Sequence, residues 1–154
     1  MSRITTLLII HRGDYILLGY KKIGFGEGRW NGFGGKVEDG EDIQSAAVRE
    51  VEEEAGITPV GIKKRGFIRF SFADDPLVLD MHIFSANDLR GTIKESNEMI
   101  PRWFHMKKVP YETMWPDDQH WLPIFLQGKN LKGRFHFKDK NQILHHKLDI
   151  VDIV

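Results

Sequence analysis

The sequence of 154 residues contains no cysteine, so disulfide bridges, thiolate metal sites and a cysteine nucleophile are excluded. It also has no excess of either charge, because 22 lysines and arginines balance 22 aspartates and glutamates. Nucleic-acid binders ordinarily carry a basic excess or stripe, whereas the lysines here come in short pairs such as Lys21-Lys22, Lys63-Lys64 and Lys107-Lys108. Polymeric nucleic acid is therefore not expected as a partner, and any anionic ligand has to be handled locally. Long hydrophobic runs are missing as well. The N-terminal apolar run, Ile4 to Ile10, contains two threonines and ends at His11-Arg12, too short for a secretion signal and far too short to span a bilayer. The expectation is a cytosolic protein without a membrane partner, with nuclear or mitochondrial pools left open. Repeats, low-complexity tracts and linkers are absent too, so residues 1–154 read as one domain, expected as a monomer, which buries roughly 70% of its unfolded surface.

What is present reads as hairpins and two separated helices. Ile4 to His11, a turn at Gly13-Asp14 and Tyr15 to Tyr20 form one predicted hairpin. Ile23 to Gly35 carries six glycines among thirteen residues, the composition of a loop folded close to something. A helix is predicted from near Glu41-Asp42 to Gly56, a good residue just past a helix end. Ile62 to Phe72 and Leu77 to Ser85, joined by Ala73-Asp74-Asp75-Pro76, make a second hairpin. Arg102 to Met106 is a short strand candidate. A second helix is expected after Trp115-Pro116-Asp117-Asp118 through Gln127, interrupted by Pro123. Leu131 to Phe137 and Ile143 to Ile150 alternate apolar and polar residues about Asp139-Lys140-Asn141. The fold class is α+β, with helices on the faces of a mixed sheet.

The first helix raises a problem. At 100° per residue, Glu50, Glu53 and Glu54 continue the side begun by Ile43, Ala46 and Ala47, while Glu52 points the opposite way. A charge run at a helix end is ordinarily a solvated face, which accounts for Glu52. It accounts poorly for three like charges at i, i+3 and i+4 near the end where the helix dipole disfavours anions. A hard divalent cation resolves this, since Mg²⁺ takes carboxylate and carbonyl oxygens and completes its shell with waters and substrate phosphates. The glycines of Gly32-Phe33-Gly34-Gly35 let backbone approach such an ion, and Arg49 is placed to orient a carboxylate or meet a phosphate. The seven histidines offer no ligand spacing on one helix, and His145-His146 on a strand point to opposite faces.

From Gly35 the chain satisfies G-x₅-E-x₇-R-E-U-x-E-E-x-G-U, with U a bulky aliphatic, through Glu41, Arg49, Glu50, Val51, Glu53, Glu54, Gly56 and Ile57. A chance match somewhere in this chain is on the order of one in 10⁷ at average residue frequencies. The pattern, residues 35–57, resembles the Nudix box, the signature of hydrolases acting on nucleoside diphosphates linked to another moiety. The resemblance implies an α/β/α sandwich with a loop-helix-loop motif. It also implies Mg²⁺, with Mn²⁺ as a possible substitute, held by Glu50, Glu53, Glu54 and the Gly34 carbonyl, and reached from another loop by Glu98. Arg49 would organise the glutamates, and either Glu50 or Glu98 would act as base.

Outside the box, "KKIGFGEGRWNGFGGKV" and "MWPDDQHWLPIFLQGK" look like animal members of that family that hydrolyse oxidised purine nucleoside triphosphates. That likeness implies a small-molecule substrate such as 8-oxo-dGTP, and 2-oxo-dATP beside it, cleaved to monophosphate and pyrophosphate. It puts Asn31, Trp115, Pro116, Asp117 and Asp118 at the base, lines the pocket with Phe25, Phe70, Leu79 and Trp121, and adds Thr6, Lys21, Phe33, Gly34, Gly35 and Lys36 as further contacts. Adjacent aspartates in an apolar pocket offer both a donor and an acceptor if one is protonated. The same Asp after Pro is also a common helix cap, and Trp115 and Trp121 alone read as core. Leu79 stands where relatives carry methionine. A hydrolase for another modified or diphosphate-linked nucleotide, such as O6-methyl-dGTP, and a catalytically silent nucleotide-binding module are the alternatives.

Overall fold

The computed structural model describes residues 2–154. Runs of β-branched and leucine residues on either side of Gly13-Asp14 fold into β1 (Ser2–Arg12) and β2 (Tyr15–Lys21), antiparallel about Gly13, whose φ of 59° suits glycine. The glycine-rich segment after β2 contributes only the two-residue β3 (Trp30–Asn31). Helix α1 (Ile43–Ala55) starts where Asp42 caps it by accepting from Ser45 N–H at 3.1 Å, and ends at Gly56 with φ 72°.

β4 (Thr58–Val60) precedes β5 (Lys63–Phe72) and β6 (Asp75–Ala86), whose connecting turn is tighter than expected because β6 already begins at Asp75. β7 (Asp88–Arg90) pairs with β4 in a small separate sheet. β8 (Met99–His105) begins before the predicted Arg102 and pairs with β2. Two 3₁₀ turns, Met106–Lys108 and Tyr111–Thr113, lead to α2 (Asp118–Leu126), which accommodates Pro123 without ending. β9 (Asn130–Asp139) and β10 (Gln142–Val151) close the chain as a hairpin.

The main sheet has the order β10-β9-β5-β6-β1-β2-β3, with β8 beside β2, and is mixed: β1 runs parallel to β6, and β5 to β9. The period of two sends alternate residues to opposite faces. Leu8, Ile10, Leu17 and Phe84 meet Ala47, Val51 and Ala55 of α1 on one face. Leu7, Ile9, Leu18, Ile68, Phe70 and Phe135 meet Trp121, Leu122 and Phe125 of α2 on the other. Helices on both faces of a mixed sheet bear out the expected sandwich. Trp121 is fully buried, and truncating such a side chain to alanine costs about 3–5 kcal/mol. Among the described residues no helix is long and apolar enough to cross a membrane.

Candidate functional site

The glycine segment lies along β1 almost as another strand. Leu8 and Phe33 exchange backbone hydrogen bonds of 2.7 and 3.0 Å, and Thr6 N–H donates to the Gly35 carbonyl at 2.9 Å. Between these two anchors Gly34 turns its N–H to the Glu54 carboxylate, at 2.9 Å. A side chain at Gly34 would put its Cβ 1.8 Å from the Thr6 carbonyl oxygen, and one at Gly35 would lie 2.6 Å from the Glu50 carboxyl. Glycine is required at both because backbone and carboxylates meet there.

The glutamates divide differently from the sequence expectation. Glu54 is buried, with 2% of its surface exposed, and Glu50 is half-buried. Glu53 is exposed rather than turned inward, its carboxylate held 3.3 Å from Arg49, while Glu52 accepts from the Thr58 hydroxyl at 3.2 Å. Arg49 is the hub of the motif. Its guanidinium meets Glu41 at 2.7 Å, Glu50 at 3.1 Å and the Lys36 carbonyl at 3.1 Å, and its pKa is raised, mainly by Glu41. Lys21 stands 3.8 Å from Glu54 and 3.3 Å from Glu98, so Glu98 does reach the cluster from its own loop.

Among the described residues no three His, Cys, Asp or Glu side chains close up as a formed metal cage. Arg49 pairs with Glu50 and Glu53, and Lys21 with Glu54 and Glu98, each neutralising part of the set. The donors nevertheless fit a hard divalent cation. Burial, with the Glu50 charge beside it, pushes the Glu54 carboxyl up to about 8 against the pull of the Gly34 N–H and Lys21, and burial also raises Glu50. Two carboxyls raised in this way are under-compensated by their cations, and oxygen donors beside an open glycine cradle suit a divalent ion.

From Glu54 a cavity of about 470 Å³ runs toward α2. Thr6, Lys21, Phe25, Asn31, Gly34, Gly35, Lys36, Phe70, Leu79, Trp115, Asp117 and Asp118 all line it, as the sequence led us to expect. Three predicted contacts do not. Phe33 is buried in the core beneath α1, Pro116 lies off the wall, and Trp121 is enclosed behind it. Sequence reasoning missed Phe72, Leu77 and Met81, which also line it. Their signal was the period of two that puts them beside Phe70 and Leu79.

Asp117 and Asp118 are buried at the inner end, 4% and 3% exposed. Asp117 does not cap α2 with its side chain; its Oδ2 accepts from the Trp121 indole N–H at 2.8 Å. Burial pushes its carboxyl up to about 6, opposed by that hydrogen bond and by Arg29. Asp118 is raised well above the carboxylate range by burial and by the neighbouring Asp117 charge, and its Oδ2 has no partner, nor has the buried Thr6 hydroxyl. Two buried carboxyls side by side favour sharing one proton, because a second buried anion beside the first is costly. Phe25 stacks on Trp115 at 4.9 Å, and Arg29 lies 4.3 Å from that ring while donating to Asn141 at 2.7 Å. This ties the glycine loop to the β9–β10 turn over the cavity mouth.

Comparison with known proteins agrees with this geometry. The NUDIX domain profile matches residues 1–125. The oxidized purine nucleoside triphosphate hydrolase of Mus musculus is 47% identical over 98% of this chain and 97% of its own length, and that of Danio rerio is 46% identical over the same shares. The crystal structure of a MutT protein from Bacillus halodurans superposes with a TM-score of 0.82 at 27% identity, covering 96% of this chain and 97% of that one.

Proposed function

The chain belongs to the NUDIX family, and from that premise we propose that it is a pyrophosphohydrolase converting oxidised purine nucleoside triphosphates, 8-oxo-dGTP foremost, to monophosphate and pyrophosphate. The observation that carries this reading is the buried Asp117–Asp118 pair at one end of a cavity whose other end is the Glu54 carboxylate. Base and phosphates thus have separate, chemically matched ends.

Asp117 keeps its charge because Trp121 donates to it and Arg29 lies nearby. Asp118 keeps the proton because a second buried anion beside the first is too costly. Together they offer an acceptor and an O–H donor to a purine edge, while Phe70, Leu79 and Met81 provide apolar walls. Oxidation at C8 converts guanine N7 from acceptor to N–H donor, changing the pattern that the pocket has to satisfy. A site built from buried polar groups rejects the wrong pattern strongly, since mismatched groups lose their partners.

Glu50, Glu54 and Glu98, with Glu53 and the Gly34 carbonyl adjoining, would hold Mg²⁺. When bound, the ion polarises phosphoryl oxygens and makes hydroxide available near neutral pH. Arg49 holds Glu50 and Glu53 in place from one side, and Lys36 and Lys21 present positive charge along the phosphate path. We place the enzyme, as a monomer, on the cytosolic nucleotide pool.

The test is to incubate the protein with Mg²⁺ and 8-oxo-dGTP and separate the products, with Glu54→Gln as control. Monophosphate and pyrophosphate in equal amounts, absent with Glu54→Gln, support the reading. Orthophosphate release, or binding without turnover, contradicts it.

A further inference from the structure

Charges that cancel over the whole chain do not cancel over its surface. α1 packs mainly against β1, β4 and β8, and its face of the sheet continues over β5, β9 and β10. There the strand register sets Arg69 opposite Arg134, and Arg134 opposite Lys147, a row of three exposed cations across three strands. Neighbouring strands lie about 4.8 Å apart, and like charges directly opposite one another destabilise a sheet. In the next row Lys132 stands between Phe67 and Asp149, and its charge, after burial, depresses the pKa of Lys64.

The carboxylates on this face cover only part of the charge. Asp80 is hydrogen-bonded to Arg69 at 2.7 Å, and Asp149 is 3.9 Å from Lys147. Lys64, Lys132 and Arg134 have no ion-pair partner among the described residues. A hollow of about 340 Å³ opens between Phe67, Arg69, Lys132, Arg134 and Lys147. The row beyond the cations is Ser71, His136 and His145, with the two imidazoles stacked at 4.9 Å and Ser71 Oγ 2.7 Å from His136 Nδ1.

We propose that this face binds a single-stranded nucleic acid, its phosphates along Arg69, Arg134 and Lys147 and its bases against the rings of Phe67, His136 and His145. The cation row has rings two residues to either side, about 7 Å away along the strands, the alternation of charge and flat surface that a backbone and its bases require. A lipid surface would call for large apolar side chains free to insert, and the only one at the hollow is the half-buried Phe67, packed edge-on against His82 at 5.1 Å. An acidic peptide would leave the ring rows without a role. The face is independent of the nucleotide cavity, because Phe70 and Phe72, which line that cavity, leave β5 on the opposite side. The neutral sequence concealed it, since its cations come from three separate strands.

The experiment is fluorescence anisotropy of labelled dodecathymidylate with the full chain, without divalent metal, across a salt series. With three to four phosphate contacts, affinity should fall roughly 20- to 50-fold between about 50 and about 200 mM salt. Arg134→Glu combined with Lys132→Gln should remove the binding, leave nucleoside triphosphate hydrolysis unchanged and keep the melting temperature near or above that of the parent, because a carboxylate at 134 relieves the repulsion between Arg69 and Lys147 and glutamine at 132 sets no like charge opposite Asp149. If that double variant folds poorly, Lys147→Ala on the edge strand serves instead and should flatten the salt dependence by about one contact. Absent binding at low salt, equal binding of a duplex of the same length, or binding unchanged by these substitutions would overturn the proposal.

Discussion

Replacing Asp117 with asparagine should make the protein more stable at neutral pH while disabling it. The carboxyl is raised from 3.8 to about 6 by burial, which corresponds to about 3 kcal/mol of cost once it ionises in the folded state. The sign follows from linkage. A carboxyl whose folded pKa is raised binds its proton more tightly folded than unfolded, so its favourable contribution is complete below about 4 and is lost as pH rises through about 6. Asparagine never ionises, and its carbonyl can still accept from the Trp121 indole, which is 2.8 Å from Asp117 Oδ2. Asp117→Asn should therefore match the parent near pH 4 and exceed it near pH 7.5 by up to about 3 kcal/mol. For a domain of this size that is about 6–12 °C in melting temperature. The assay is thermal unfolding of both proteins, without metal or nucleotide, at several pH values across that window. A difference that does not vary with pH, or a variant less stable at pH 7.5 than at pH 4 relative to the parent, would refute the reasoning. It would mean that the pocket favours the anion at Asp117.

Other substitutions probe the opposite end of the cavity. Gly34→Ala should unfold the segment between Thr6 and Glu54 or abolish turnover, because its Cβ would fall 1.8 Å from the Thr6 carbonyl; the steric clash and loss of the Glu54 contact together should exceed about 3 kcal/mol in denaturant titration. Arg49→Lys keeps the charge but loses the fork that meets Glu41 and Glu50 together, so kcat should fall about 10- to 100-fold with a small change in melting temperature. Glu54→Gln should abolish measurable Mg²⁺ binding in calorimetry and lower kcat by about 1,000-fold or more. Arg29→Ala removes the contact with Trp115 and the bond to Asn141 and should raise KM more than it lowers kcat in steady-state kinetics, since it acts at the cavity mouth.

The parts of the molecule that the sequence revealed are those set by local chemistry. Asp42 and Gly56 bound α1 because capping depends on adjacent residues, and the signature between Gly35 and Ile57 is a matter of spacing within one loop and helix. The parts it concealed depend on pairing between distant segments. β4 and β7 are three residues each and exist only through each other. Glu53 shares a helical side with Glu50 and Glu54, yet Arg49 holds it in solvent, a choice that periodicity cannot express. Asp117 follows a proline as a capping residue would, but its side chain accepts from the Trp121 indole one turn on rather than from a backbone N–H of the helix end. Phe33 and Trp121 support the cavity from behind it rather than line it.

The central claim is that this pocket, with one proton shared between Asp117 and Asp118, selects an oxidised purine. Its most direct test is the ratio of kcat/KM for 8-oxo-dGTP to that for dGTP, measured with Mg²⁺ in competition within one reaction. The account predicts a ratio of roughly 10 or more for the parent, collapsing toward unity in Asp117→Asn, which loses the anionic acceptor, and in Asp118→Ala, which loses the donor, while the proteins stay folded. Equal turnover of the two nucleotides by the parent, or a ratio unaffected by both substitutions, would contradict it.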